Sequence, residues 1–438
     1  MVTLTLAGLV LAGCTSSSST PASSPTSPGH STALPALHAT RGGSPDIFDA
    51  DGRQVLLRGV DYNVLGDYYQ ANPAAETVVP YSPHQLDLMA AQGFDVIRLV
   101  LSWSKLEPQP GHVSASEIAR IRQVVNAAGS RGLYVVLDMH QDAWGKSIAT
   151  PPGVTCPPGT EAALGWDGAP KWATITDGRS TCDTGGVREL SPAVTQAFDN
   201  FYANRDGIQD QFVKVWGALA TAFAADTTVA GYDLFNEPHF GSDPGHTNQI
   251  LASLYGRLIT RIRAAENSVP GGHSHIIFFE PNILWSGLGS TAVPNPTFTT
   301  DSNVVFAPHL YGGSLATTSV SDGYQAAEQV AATYQTTLWS GEWGWYNNPA
   351  QAESDVVAFA RLQDQTLSGG AWWQWSQACG DPHVIRDNQG KPPKTVLAFN
   401  LYTCPGTHSQ GPVPQWSKVL ARAYPRAAPG RLSSLMSD

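Results

Sequence analysis

The chain has 438 residues, 42% of them hydrophobic, enough for one large domain or two ordinary ones around a sizeable core. Its formal net charge of −11 argues against a nucleic-acid partner, because phosphate backbones demand Lys/Arg clusters. Thirteen tryptophans exceed what the core needs, and indole faces stack on sugar rings, so the excess leans towards carbohydrate. Most of the thirteen are nevertheless expected to be ordinary packing.

The N-terminus, "MVTLTLAGLVLAGC", is an apolar run too short to span a bilayer. It fits the hydrophobic part of a signal peptide, without the usual basic residues before it. Leu11-Ala12-Gly13-Cys14 resembles the lipobox of bacterial lipoproteins, in which the cysteine is lipidated and becomes the mature N-terminus. Residues 1–14 are therefore read as a lipoprotein-type signal peptide. The protein is expected to be exported, and either anchored to the bacterial cell membrane through Cys14 or secreted. Residues 15–44 are rich in Ser, Pro and Thr and read as a disordered tether with little to bury.

Setting Cys14 aside leaves four cysteines, which allow three pairings. Nearest neighbours are expected to pair, Cys156 with Cys182 and Cys379 with Cys404, because each pair brackets one loop and an exported location permits both bridges. No CxxC accompanies these cysteines, which argues against a zinc site.

Eight β-rich runs follow in order: "VLLRGVDY" from 55, "DVIRLVLSW" from 95, "LYVVLDMH" from 133, "VAGYDLFNE" from 229, "HIIFFEP" from 275, "NVVFAPHLY" from 303, "TTLWSGEW" from 336 and "GGAWWQWS" from 369. Most are continuously apolar rather than alternating, as parallel strands covered by helices should be. Helical periodicity fills most gaps. "SPHQLDLMAAQG" opens on a Ser N-cap, and "SASEIARIRQVVNAAGSRG" sets Ile118, Ile121, Val124 and Val125 on one stripe. Only the crossover after the fifth strand is poorly marked.

This alternation predicts an α/β fold, a (β/α)8 TIM barrel over residues 45–408, then a final helix and tail over 409–438. An open doubly wound sheet is the rival, weakened because no Gly-rich phosphate loop follows the first strand. Residues 141–206 interrupt the alternation after strand three as a long Gly/Pro/Thr-rich loop, expected to be ordered by its disulfide.

In such a barrel the C-terminal strand ends build the site. Here they carry Arg98, His140 and Asp142, Asn236 and Glu237, His309 and Tyr311, Glu342, and the tryptophans at 372, 373 and 375. Each alone has an ordinary structural use: a core histidine, a barrel ion pair, a helix-capping carboxylate. Together they point to one shared polar pocket. Glu237 on strand four and Glu342 on strand seven face each other across the mouth, and glycosidic cleavage requires such a pair. His140 and His309 lie on distant strands without metal-ligand spacing, so neither a metal nor a cofactor is expected.

At these residues the chain resembles glycoside hydrolase family 5, on Asn236-Glu237-Pro238, Glu342 in "SGEWG", Arg98, His140, "HLY" at 309–311 and Trp375. Within it the chain looks most like the endoglycoceramidases, on "LEPQPG", "VVLDMHQDAWGK", "GWDGAPKWATITDG", "SPAVTQAFDNFY" and "GYDLFNEP". The resemblance implies a retaining endo-β-glycosidase that cleaves between glycan and ceramide, with Glu237 as acid/base and Glu342 as nucleophile. It implies that Asn236 binds the sugar 2-hydroxyl, that Tyr311 and Arg98 hold the nucleophile, and that His140, Asp142, Trp172 and Trp375 shape the sugar subsites. Near the first strand, where those enzymes often carry a lysine, this chain has Asp61 and Asn63. The β-sandwich those enzymes append after the barrel is expected to be absent or truncated. The alternatives are an endo-β-glucanase acting on a β-linked polysaccharide and a non-catalytic carbohydrate-binding lipoprotein. A monomer with a glycolipid or β-glycan substrate is expected, with Glu237 holding its proton longer than Glu342.

Overall fold

The computed structural model describes residues 33–437 except 289–292, 313–318, 346–348, 388–399, 403–408 and 413. Cys14 and Cys404 lie outside the described residues. Eight parallel strands form the frame: β1 Arg58–Tyr62, β2 Val96–Ser102, β3 Tyr134–His140, β4 Val229–Asp233, β5 Ile276–Phe279, β6 in two pieces, Val304–Phe306 and His309–Gly312, β7 Trp339–Trp345 and β8 Gly369–Trp372. Each pairs with the next in parallel, and β8 pairs back onto β1 through Trp372 and Val60. The lower piece of β6 pairs with β5 and the upper piece with β7. The break falls at Ala307-Pro308, where proline has no N–H for a ladder. The ring is therefore closed, as a (β/α)8 barrel requires.

All seven residues of β2 and of β3 are buried, which explains their continuous apolar runs. Helices α1 Pro83–Ala91, α2 Ala115–Gly129, α3 Ile208–Phe223, α4 Pro244–Asn267, α5 Val320–Tyr334 and α6 Pro349–Thr366 follow strands one, two, three, four, six and seven. The Ser114 hydroxyl caps α2 by accepting from the Glu117 N–H at 3.1 Å. Ser82 sits at the N-cap of α1 without a side-chain cap bond. After β5 the described residues hold a six-residue helix, Ile283–Leu288, and a 3-10 turn, Pro296–Phe298, which accounts for the weak signal there.

The fold begins earlier than a tether ending at residue 44 predicts. Leu37–Ala39 pairs antiparallel with Ile47–Asp49. Leu37, Ala39 and Ile47 pack with Val96, Val136, Ile276, Phe278 and Trp339, closing the apolar end of the barrel. Three-residue strands carry no readable periodicity, so their burial could not be seen in the sequence.

The insertion after β3 is ordered. Cys156 and Cys182 are bonded, with Cα atoms 5.8 Å apart. Trp144 is fully buried, edge-on to Phe198 at 4.9 Å. Cys379 is also disulfide-bonded. Among the described residues no helix is long and apolar enough to cross a membrane.

Candidate active site

The end of the barrel opposite the hairpin is charged. Arg98 points inward from β2 with no exposed surface. Its Nε lies 2.9 Å from Asp233, Nη1 lies 3.0 Å from Asp61 and 2.9 Å from Glu342, and Nη2 lies 3.0 Å from Asp138 and 3.1 Å from Glu280. Nη2 also donates to the Asn236 side-chain oxygen at 2.9 Å. The strand register produces this convergence, since Asp61 is level with Arg98 and Asp138 with Asp233. One cation cannot hold five buried carboxylates ionised. Burial, working against the pull of Arg98, raises Asp61 well above the ordinary carboxylate range and Asp233 to about 6. Burial likewise raises Glu280 to about 8, against the attraction of His309.

His309 stands level with Glu342 across the β6–β7 ladder. Its Nδ1 is 2.9 Å from Glu237 Oε1 and 3.3 Å from Glu342 Oε2, and its Nε2 is 3.1 Å from Glu280 Oε1. Tyr311 donates its hydroxyl to Glu342 Oε2 at 2.5 Å. One oxygen of Glu237 and one of Glu342 lie within 4.8 Å of each other. Close approach of the two carboxyls is what direct nucleophilic attack requires, at a separation of roughly 5–5.5 Å between the groups.

The proton lies elsewhere than the sequence reading placed it. Burial favours a neutral Glu237, but the His309 hydrogen bond, the His309 charge and Arg188 outweigh it, so Glu237 is held below its usual value. Burial opposes the His309 imidazolium, but its surrounding carboxylates raise it well above the ordinary histidine range. In the unliganded site the pair is therefore an imidazolium and a carboxylate. Nothing local in "NEP" announces that two cations from other elements converge on Glu237.

Glu237 also has a strained backbone, with φ of +38°. A left-handed non-glycine residue costs about 1–2 kcal/mol. Gln141 holds it by donating to the carbonyls of Asn236 at 2.8 Å and Glu237 at 3.0 Å. The Glu237 N–H donates to Glu280 Oε2 at 2.9 Å.

The neighbouring wall contains His140, whose Nδ1 is 2.7 Å from Asp138. Its ring stacks on Trp373 at 5.2 Å and 6°. Asp142 meets Arg188 at 2.7 Å and His383 at 3.2 Å, and these cations overcome burial to hold it well below the ordinary range. Arg188, from the disulfide-bonded insertion, also reaches Glu237 Oε2 at 3.4 Å.

Two expected sugar-contacting tryptophans sit differently. Trp375 is wholly buried in the apolar shell, whereas Trp373, the residue after β8, places its indole against His140 and His383. Trp172 packs edge-on to Trp103 at 5.4 Å and donates to the Glu107 carbonyl. Two groupings have the spacing of metal ligands, His140 with Asp142 and Asp167, and Glu237 with His309 and Glu342. In both, carboxylates raise the imidazole well above its ordinary value despite burial, so a metal would have to displace that proton. Glu280, Arg188, Gln141 and His383 were not picked out from the sequence. "IIFFEP" ends in a carboxylate and a proline just as "DLFNEP" does, and that likeness was the available signal for Glu280.

These shifts predict a stability profile. Despite burial, neighbouring aspartates raise His383 to about 9, while burial raises Asp167 to about 7 and Glu280 to about 8. Each binds its proton more tightly folded than unfolded, so its contribution is full below the unfolded value and is lost as pH rises through the folded one. Asp142 and Glu237 are lowered and act oppositely, losing their contribution as pH falls through their folded values. Stability should peak on the acidic side of neutral. His383 alone should account for a loss on the order of 3 kcal/mol between pH 6.5 and pH 9. Denaturant unfolding across pH checks this, and stability rising from pH 6 to pH 9 contradicts it.

The cellulase family, glycosyl hydrolase family 5, matches residues 48–379. Endoglycoceramidase I of Rhodococcus hoagii (strain 103S) is 26% identical over 407 residues, which cover 90% of this chain and 73% of that protein. The crystal structure of an endogalactoceramidase superposes with a TM-score of 0.86 at 45% identity, covering 91% of this chain and 87% of that one. Endo-glycoceramidase II from Rhodococcus sp., in its ganglioside GM3 complex, shares the fold with a TM-score of 0.68 at 24% identity, covering 90% and 84%. With its paired glutamates at the strand ends of a closed barrel, the chain belongs to glycosyl hydrolase family 5 as an endoglycoceramidase-like glycosidase.

Proposed function

We propose that the chain hydrolyses the bond between glycan and ceramide in glycosphingolipids by double displacement. The observation that carries this reading is the Glu237–Glu342 pair, within 4.8 Å and bridged by His309, in a chain 45% identical to an endogalactoceramidase. Glu342 attacks the anomeric carbon, and the bond to the ceramide oxygen breaks as Glu237 gives that oxygen a proton. The His309 Nδ1 proton, 2.9 Å from Glu237 Oε1, is positioned to reload Glu237 when substrate covers the pair. Water, deprotonated by Glu237, then releases the glycan from Glu342. Arg98 and Tyr311 orient the nucleophile, and Asn236, His140, Asp142 and Trp373 line the sugar site.

Galactose is the proposed sugar at the cleaved bond, supported by the higher identity to the endogalactoceramidase than to the endoglycoceramidases. Incubation with a galactose-rooted glycolipid, lactosylceramide and soluble β-glucan, read by released glycan, tests both claims. Release from the galactose-rooted glycolipid is expected. Release from lactosylceramide alone would overturn the sugar, and release from β-glucan alone would make the chain an endo-β-glucanase.

The same reading keeps the enzyme monomeric and exported, held at the bacterial membrane through lipidated Cys14, which suits an amphiphilic substrate. Light scattering and mass spectrometry of the N-terminal peptide test these points. An unmodified Cys14 or a stable dimer would overturn them.

A further inference from the structure

We propose that Glu280, at the end of β5, is a positioning residue that sets both the backbone and the side chain of the acid/base Glu237. The proposal rests on the acid/base reading of Glu237. Glu280 is 1% exposed and has no path to the substrate's role in the reaction other than through its partners. Those partners are the machinery itself. Oε2 accepts the backbone N–H of Glu237 at 2.9 Å, the residue whose φ is +38°. Oε1 lies 3.1 Å from His309 Nε2, and the other nitrogen of that ring meets Glu237 Oε1 at 2.9 Å. Oε1 also accepts from Arg98 Nη2 at 3.1 Å, and Arg98 holds Glu342. One carboxyl group thus grips Glu237 at its amide and, through a rigid ring, at its reacting oxygen.

A carboxyl is needed here for a geometric reason. Oε2 faces one N–H, and Oε1 faces Arg98 and, at 3.1 Å, the Nε2 of His309. A carboxyl can accept the Glu237 N–H at Oε2 and the Arg98 N–H at Oε1 at the same time. A glutamine cannot. With its NH2 at one position it meets the Glu237 N–H, and with the amide reversed it meets the Arg98 N–H. Either way two donors collide. Glu280→Gln should therefore release one of the two grips without changing the volume of the site. The remaining carboxylates around Arg98, those of Asp61, Asp138, Asp233 and Glu342, still neutralise its charge.

The test is the dependence of kcat/KM on the leaving group, across a galactose-rooted glycolipid and a series of aryl galactosides of increasing phenol acidity. Misplacing an acid penalises poor leaving groups selectively, while a merely structural fault penalises all alike. Glu280→Gln is expected to lose about 10²-fold on the glycolipid and less than about threefold on the most acidic phenol. Its plot of log kcat/KM against leaving-group pKa should be steeper than that of the wild type. Glu237→Gln, measured alongside, should show the same steepening more strongly. If Glu237→Gln steepens the plot and Glu280→Gln does not, the role given to Glu280 is wrong. If Glu237→Gln leaves the slope unchanged, the acid/base reading itself fails and the proposal goes with it. Should Glu280→Gln not fold, Glu280→Asp decides by the same slope, because its shorter carboxyl keeps the chemistry but cannot reach both Glu237 and His309.

Discussion

Glu342→Gln is expected to lower kcat by at least about 10⁴-fold, on glycolipid and aryl glycoside alike. Glu342 Oε1 takes a hydrogen bond from Arg98 at 2.9 Å and Oε2 one from Tyr311 at 2.5 Å, so both oxygens are oriented as acceptors. An amide keeps the shape but offers no anion to attack carbon, and no leaving-group chemistry replaces that. Glu237→Gln should differ. It should lose about 10²–10⁴-fold on the glycolipid, whose alkoxide leaving group needs a proton. It should keep most of its first-step rate on an activated aryl glycoside. Steady-state and burst kinetics on the two substrates check both variants. Equal loss on both substrates for Glu237→Gln would remove the acid assignment, and retained activity in Glu342→Gln would remove the nucleophile.

The second large effect is on stability. Arg98→Met is expected to destabilise the fold by about 3–5 kcal/mol, measured by denaturant unfolding. Arg98 is completely buried and is the cation shared by Asp61, Asp138, Asp233, Glu280 and Glu342. Removing it leaves these acids facing one another without compensation, and the register of β1 to β4 gives them no room to separate. Arg98→Lys should recover only part of the loss, because an ammonium keeps the charge but cannot span the same fork of partners. A loss below about 1 kcal/mol in Arg98→Met would mean that the acids are neutral without it.

The frame was legible because parallel strands buried on both faces must be continuously apolar, as "VIRLVLS" and "YVVLDMH" are. The site was legible where a polar residue ends such a run, as Glu237, His309 and Glu342 do, because that position is costly unless used. Three things were not legible, each for a physical reason. The Leu37–Ala39 and Ile47–Asp49 hairpin is too short to show a period, and only its burial against the barrel identifies it. Arg188 reaches Glu237 from a loop whose path depends on a disulfide and a cluster of aromatic rings rather than on any repeating pattern. The protonation of Glu237 depends on which nitrogen of His309 it meets and on Arg188, both of which are three-dimensional facts. Trp375 and Trp373 lie two residues apart in one run, and only the turn of the chain after Trp372 decides which indole meets His140.

The central claim is that Glu342 attacks the anomeric carbon directly, with Glu237 as its partner. Proton NMR of the glycan released in the first minutes, before the free sugar mutarotates, tests it most directly. Two displacements at one carbon restore its configuration, so the β-anomer should appear first and the α-anomer only later by equilibration. An α-anomer appearing first would require a water between the two carboxyl groups. That is the inverting course and would contradict the account.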